Sequence, residues 1–133
     1  MAIPLKLREE LAADPFVENV IKKLTHMEKI NIRPLSINCC WQGRRFKTPI
    51  YKAYEQDLIY QLPKIEIPRG KKSLLVKVGF SSKLSDIDNI AKPLIDILQK
   101  RYLFDDKDIY YLEIIKEDVK KGEEYIAFEI NPF

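Results

Sequence analysis

Six aspartates and two lysines crowd two neighbouring runs of this 133-residue chain. The first reads Asp86-Ile-Asp88-Asn89-Ile-Ala-Lys92-Pro-Leu-Ile-Asp96, and the second Asp105-Asp106-Lys-Asp108. Like charges held this close repel, and an unpaired cluster costs stability. Two or three converging carboxylates with no matching arginine suit a hard divalent cation. Magnesium holding the oxygens of a phosphodiester is the commonest chemistry for such a set. A plainer account uses the same residues: Asp88 as a helix cap, Asp88 and Lys92 as a surface pair one turn apart, and Asp105-Asp106 as a polar turn. Asp-x-Asp lacks the glycine and final glutamate of a calcium-binding loop, so spacing alone leaves both accounts open.

The elements that must position these residues follow from patterning. Leu74, Val76, Val78 and Phe80 alternate with smaller or polar residues and predict a strand over 73–80. Were its extended geometry to run on, Asp86 and Asp88 would share a face, as side chains two apart do. Ile87, Ile90, Ala91, Leu94 and Leu98 form one helical stripe over about 89–102, with Asp88 or Asn89 available as the cap. Pro93 is tolerable only near the first turn, which sets the helix start at Asp88–Ala91 and places Lys92 on the same face as Asp88. Asp105-Asp106 then opens a hairpin, with strands over about 109–117 and 123–130 and a turn at Asp118–Gly122. Upstream, Ile30 and Ile32 alternate in a strand over 29–37, where Pro34 marks an edge or a break. Thr48-Pro49 caps a helix over 49–62 whose stripe is Ile50, Tyr54, Leu58 and Leu62, leaving Tyr51, Lys52 and Tyr60 for the surface.

Two basic segments flank this frame. In the loop 38–48, Arg44, Arg45 and Lys47 interleave with Trp41 and Phe46. Cations neutralise phosphates and release counterions, and aromatics can stack on bases exposed at a branch point. Here the aromatics are expected to pack beneath the loop and the three cations to face DNA. The linker 63–72 carries Lys64, Arg69, Lys71 and Lys72, a cluster fit to hold a duplex arm or simply to keep a loop soluble. Residues 1–80 carry 15 Lys and Arg against 8 Asp and Glu, a net +7, whereas residues 81–133 carry 8 against 12, a net −4. That asymmetry suits a basic grip beside an acidic metal-binding centre.

Asp-Ile-Asp-Asn-x-x-Lys-x-x-x-Asp over 86–96, followed by an aromatic, Asp-Asp and a strand, resembles the RusA family of Holliday-junction resolvases. Upstream, Asn38, Trp41, Arg45-Phe46-Lys47-Thr48 and Tyr51 also look like that family's first strand, loop and helix. The resemblance covers roughly residues 28–131. It implies a homodimeric, magnesium-dependent endonuclease that cuts four-way DNA junctions symmetrically. It maps the essential carboxylates onto Asp86, Asp88 and Asp106 and the catalytic lysine onto Lys92, with Asp96 and Asp105 as further acidic positions. The segment between Lys92 and the aspartate pair is about one residue short. The family's glycine before the aromatic is also replaced by Arg101-Tyr102-Leu103, so the choice between Asp105 and Asp106 stays open.

The element order β-α-β-α-β-β points to an α+β fold, a mixed sheet of about four strands with helices on one face, RusA-like in outline. A bare second sheet face would favour a dimer. Residues 1–27 read as a helical N-terminal extension, with Asp14-Pro15 starting a helix whose stripe is Phe16, Val17, Val20, Ile21 and Leu24; residues 28–133 read as the nuclease domain. No apolar run approaches the ~18–20 residues of a membrane span, and the N-terminus lacks a signal peptide's apolar core, so a cytoplasmic location is expected. The adjacent Cys39-Cys40 and the single His26 fit neither zinc nor a disulfide framework. Two other functions remain: a binder of branched DNA without catalysis, and a nuclease acting on flaps or forks.

Overall fold

The computed structural model describes residues 27–43 and 46–133. The expected helix at Asp14-Pro15 and the whole N-terminal extension as far as residue 26 lie outside the described residues. Among the described residues the fold is α+β, with one four-stranded mixed sheet, one two-stranded ribbon and two α-helices. The chain runs β1 (Glu28–Ile30), β2 (Trp41–Gln42), β3 (Phe46–Lys47), α1 (Pro49–Gln61), β4 (Lys72–Phe80), α2 (Ala91–Tyr102), β5 (Ile109–Asp118) and β6 (Tyr125–Pro132). The main sheet has the order β1-β6-β4-β5, parallel between β4 and β5 and antiparallel elsewhere.

β4 is the centre of this architecture. Its Leu74, Val76, Val78 and Phe80 face the helices, in register with Ile130, Phe128 and Ile126 of β6 and with Leu112 and Ile114 of β5. Tyr51, Tyr54 and Leu58 of α1 join Leu94, Ile97 and Leu98 of α2 against that face to make the core. The expected hairpin between the last two strands does not form. β5 and β6 are consecutive in sequence, but β4 lies between them and takes β5 in parallel through α2. A strand buried or half-buried at every residue gains most at the centre of a sheet, where both neighbours cover it. On the second face, Gly79 leaves room for Tyr125: a Cβ there would stand 2.6 Å from the tyrosine ring. The Tyr125 hydroxyl donates to Glu117, which also pairs with Lys77 at 3.2 Å.

Three element boundaries differ from the sequence reading. β1 is only three residues long, and the chain from 31 to 36 has no regular pairing, although Ile30 and Ile32 are both buried. The Ile32 amide donates to the Ile30 carbonyl at 3.0 Å, a tight turn that ends the pairing before Pro34 is reached. On α1 the buried stripe begins at Tyr51, 2% exposed, and not at Ile50, 61% exposed. Steps of four residues precess by about 40° each around a 3.6-residue helix, so Ile50 drifts off the face that Tyr54 and Leu58 define. The loop 38–48 folds into the β2–β3 ribbon, with Trp41 opposite Lys47 and Gln42 opposite Phe46, turning through Gly43 at φ +68°.

Candidate functional site

Asp86 and Asp88 precede α2, Asp105, Asp106 and Asp108 follow it, and Asp96 lies within it. β4 stops at Phe80, six residues before Asp86, so the two aspartates of the Asp-x-Asp run do not alternate on a strand as expected. Asp88 opens a 3-10 turn, Asp88–Ile90, that leads into α2, and no side chain caps either element. Asn89 Nδ2 instead donates to Asp86 Oδ2 at 3.3 Å. Pro93 is the third residue of α2, where its missing N–H has no intrahelical acceptor to lose.

Lys92 pairs with Asp96 at 2.8 Å, not with Asp88. Asp88 belongs to the tighter 3-10 winding, which takes it off the row that links residues four apart on an α-helix. The hydrogen bond to Asp96 raises the Lys92 pKa, burial opposes it, and the charges of Asp96 and Asp106 add to the rise. Asp106 thus lies within electrostatic reach of Lys92. Gln99 completes the connection: its Oε1 accepts from the Asp106 amide at 2.8 Å and its Nε2 reaches Asp96 at 3.5 Å. Asp105 serves the backbone, accepting from the Lys107 amide at 3.1 Å and capping the 3-10 turn Asp106–Asp108. That amide hydrogen bond holds the Asp105 carboxyl below its ordinary range.

Asp86, Asp88 and Asp106 are exposed and make no ion pair among the described residues. Their oxygens are the right donors for magnesium. Among the described residues, however, no three acidic, histidine or cysteine side chains stand together closely enough to hold a metal ion. The fit is one of ligand type, and the expected cage is not assembled.

No family model matches the chain, and no curated protein matches it. The site is accordingly read from its own residues.

Lys116 of β5 was not singled out by the sequence. Its ammonium donates to the Ser85 carbonyl at 2.7 Å and the Lys83 carbonyl at 3.3 Å, and stands 5.7 Å over the Phe80 ring. It thereby ties the loop carrying Asp86 to the sheet. A lone lysine in a strand carries no local signal of such a role, because its partners lie 31 and 33 residues away. On the other side of the same loop lies a cavity of about 610 Å³, bordered by Arg33, Leu35, Tyr54, Leu84, Asp86 and Glu124.

The basic residues separate into different environments. Lys47 pairs with Glu55 at 2.8 Å and lies 5.3 Å over the Tyr51 ring, and Lys100 of α2 reaches the same carboxylate at 2.6 Å. Burial alone would raise the Glu55 carboxyl, but hydrogen bonds from Lys100 and Lys47 outweigh it and hold the pKa low. Lys71 is exposed, 4.8 Å over the Tyr110 ring. Lys72 corrects the sequence reading: it is 3% exposed and donates to the Gly70 carbonyl at 2.8 Å, presenting no ammonium to a phosphate. It occupies the helix-facing register at the start of β4, beside Phe104, where its stem packs and its charge is satisfied by backbone. Arg44 and Arg45 lie outside the described residues. Trp41 meets Tyr51 edge-on at 5.8 Å and remains partly exposed, and Phe46 is 73% exposed, so the aromatics do not pack beneath the loop as expected. A two-residue ribbon has no interior to bury them.

Proposed function

We propose that this chain is a magnesium-dependent, structure-specific endonuclease that cuts four-way DNA junctions by paired phosphodiester hydrolysis, acting as a homodimer. The observation that carries the reading is that Asp86, Asp88 and Asp106 are exposed and without an ion pair among the described residues, while Asp96 orients Lys92 on the helix that separates them. The resemblance of residues 28–131 to the RusA family supports it, as do the basic and aromatic residues of the 38–48 segment.

Asp86, Asp88 and Asp106 would hold the magnesium, with Asp105 nearby. A divalent cation held there would supply an activated water and neutralise charge on the phosphate. Lys92, kept cationic by Asp96, neutralises the scissile phosphate or the leaving oxygen. Lys71, Lys47 and the sequence's Arg44 and Arg45 would hold the flanking duplex arms.

The test is cleavage of a labelled four-way junction, with linear duplex, flap and fork controls, in magnesium or in EDTA. Paired symmetric nicks on the junction are expected, lost in EDTA. Asp88→Asn keeps shape and removes a charge, so cutting should fall by orders of magnitude while junction binding survives. Retained cutting would remove Asp88 from the mechanism; nicking of flaps or forks alone would change the substrate and keep the chemistry.

A second reading is a branched-DNA-binding protein without catalysis. It is favoured by one observation, that the described carboxylates do not gather into a three-ligand group. Its signature is tight junction binding, indifferent to magnesium beyond salt screening, with no nicks in any metal.

A further inference from the structure

β5 closes one side of the main sheet and, among the described residues, pairs only with β4. Its outer edge therefore presents backbone N–H and C=O groups to which no described strand is paired. The side chains along that edge are apolar and open: Tyr110 is 56% exposed, Tyr111 48% and Leu112 44%. Natural sheets blunt such an edge with lysine, proline, a bulge or a covering loop. From Tyr110 to Ile115 the strand has neither proline nor lysine, and Glu113 is its single charge. The register shift against β4 lies at Lys72–Ser73, and from Tyr111 onward the ladder is regular. A regular, apolar edge of this kind is a template for another strand.

The strand is also complementary to itself. When two copies pair antiparallel about a twofold axis normal to the sheet, one residue faces its own copy and its neighbours face each other in mirror order. With Leu112 on the axis, Leu112 meets Leu112, Tyr110 meets Ile114, Ile109 meets Ile115 and Tyr111 meets Glu113. The first three contacts are apolar. The fourth repeats a pairing that the chain already makes, since the Tyr111 hydroxyl donates to Glu113 at 3.0 Å. Other registers fit worse. An axis at Glu113 sets two carboxylates face to face, and an axis at Tyr111 or Ile114 sets an isoleucine against Glu113.

We propose that two copies of this chain associate through β5, antiparallel about Leu112, to make one continuous sheet with four strands from each copy. The inference deepens the homodimer of the nuclease reading and rests on that two-copy part alone, because pairing at the edge needs no catalysis. It also moves the contact. Patterning pointed to the second sheet face as the dimer surface, but Lys77, Glu113, Glu117 and Glu129 stand on that face. The core of a contact between copies is depleted of charge, and the Tyr110–Ile115 edge answers that requirement better.

The test is sedimentation equilibrium of the full chain, with junction cleavage run in parallel. Wild type should dimerise. Leu112 is open enough in one copy for Leu112→Lys to leave the fold intact. That change removes two leucines from the contact and sets two ammonium groups face to face, so the dimer should weaken roughly 100-fold. Leu112→Cys, with the exposed Cys39 changed to serine, should give a disulfide-linked dimer on mild oxidation, because opposed residues of an antiparallel pair bring their Cβ atoms within reach. Tyr60→Cys in the same background, exposed on α1, should not link. A wild-type monomer at every concentration up to about 100 μM, a dimer indifferent to Leu112→Lys, or equal linking at positions 112 and 60 would each overturn the proposal. Cleavage by a wild-type monomer would keep the nuclease and remove the contact. A dimer lost in Leu112→Lys, with no cleavage by wild type, would do the reverse.

Discussion

Replacing Lys116 with methionine keeps an unbranched apolar stem beside Phe80 and removes the two hydrogen bonds that Lys116 gives to the Asp86 loop. A hydrogen bond from a charged donor contributes about 1.5–3 kcal/mol. The 2.7 Å contact with the Ser85 carbonyl belongs in that range. The 3.3 Å contact with the Lys83 carbonyl is exposed and adds little, and a cation 5.7 Å from the Phe80 ring adds about 0.5 kcal/mol. A loss of about 2 kcal/mol is therefore expected, confined to the loop because the core face of β4 is untouched. It makes loop opening about 30-fold more frequent. The assay is native-state hydrogen exchange at the Leu84 and Ser85 amides, which bond within the loop to Ser82. Both should exchange about 30-fold faster while the amides of β4 and β6 stay protected. Junction cleavage should fall about tenfold, and Lys116→Arg, which restores a cationic donor, should recover both. Unchanged exchange at Leu84 and Ser85 would refute the tether. Acceleration spread evenly over the core amides would show a general stabiliser instead.

Glu55→Gln removes the charge that Lys47 and Lys100 share, and should cost about 1–2 kcal/mol, or roughly 3–8 °C in Tm. Because the folded Glu55 pKa is depressed, its contribution is complete above the unfolded value near 4.5 and is lost as pH falls through the lower folded value. The Tm gap between wild type and variant should thus close in acid; a constant gap would rule out the charge as the cause. Leu103 holds φ +57° at the C-terminus of α2 and is almost fully exposed. Leu103→Gly should therefore stabilise the protein by about 0.5–1 kcal/mol in urea unfolding, and a loss would show that the leucine contributes packing. Asp96→Asn breaks an exposed pair worth under about 0.5 kcal/mol, so Tm should hardly move. Single-turnover junction cleavage should nonetheless fall about tenfold as Lys92 loses its orientation, and unchanged turnover would separate Asp96 from the site.

Much of the architecture is written locally. Alternation over Leu74–Phe80, the Thr48-Pro49 start of α1, and Pro93 near the start of α2 each depend on neighbours a few residues away, and each element formed where its pattern placed it. The candidate chemistry was legible for the same reason: residue types and spacing bring carboxylates and a lysine to the two ends of one helix. Pairings across the chain were not legible. Whether β6 lies beside β5 or across β4 depends on which strand buries most at the centre of the sheet, a property of the assembled faces. Lys92 could reach Asp88 or Asp96 by spacing, and the 3-10 winding at Asp88 decided it. Lys72 reads as a surface cation until the start of β4 turns it inward to Gly70. The Lys116 tether, the cavity beside Asp86 and the open edge of β5 exist only once segments 30 or more residues apart are packed together. Local sequence determined the elements and the reactive residue types. Tertiary packing decided which charges are paired, which are buried, and which strand edge stays open, because desolvation and long-range hydrogen bonds act only between parts that folding has brought together.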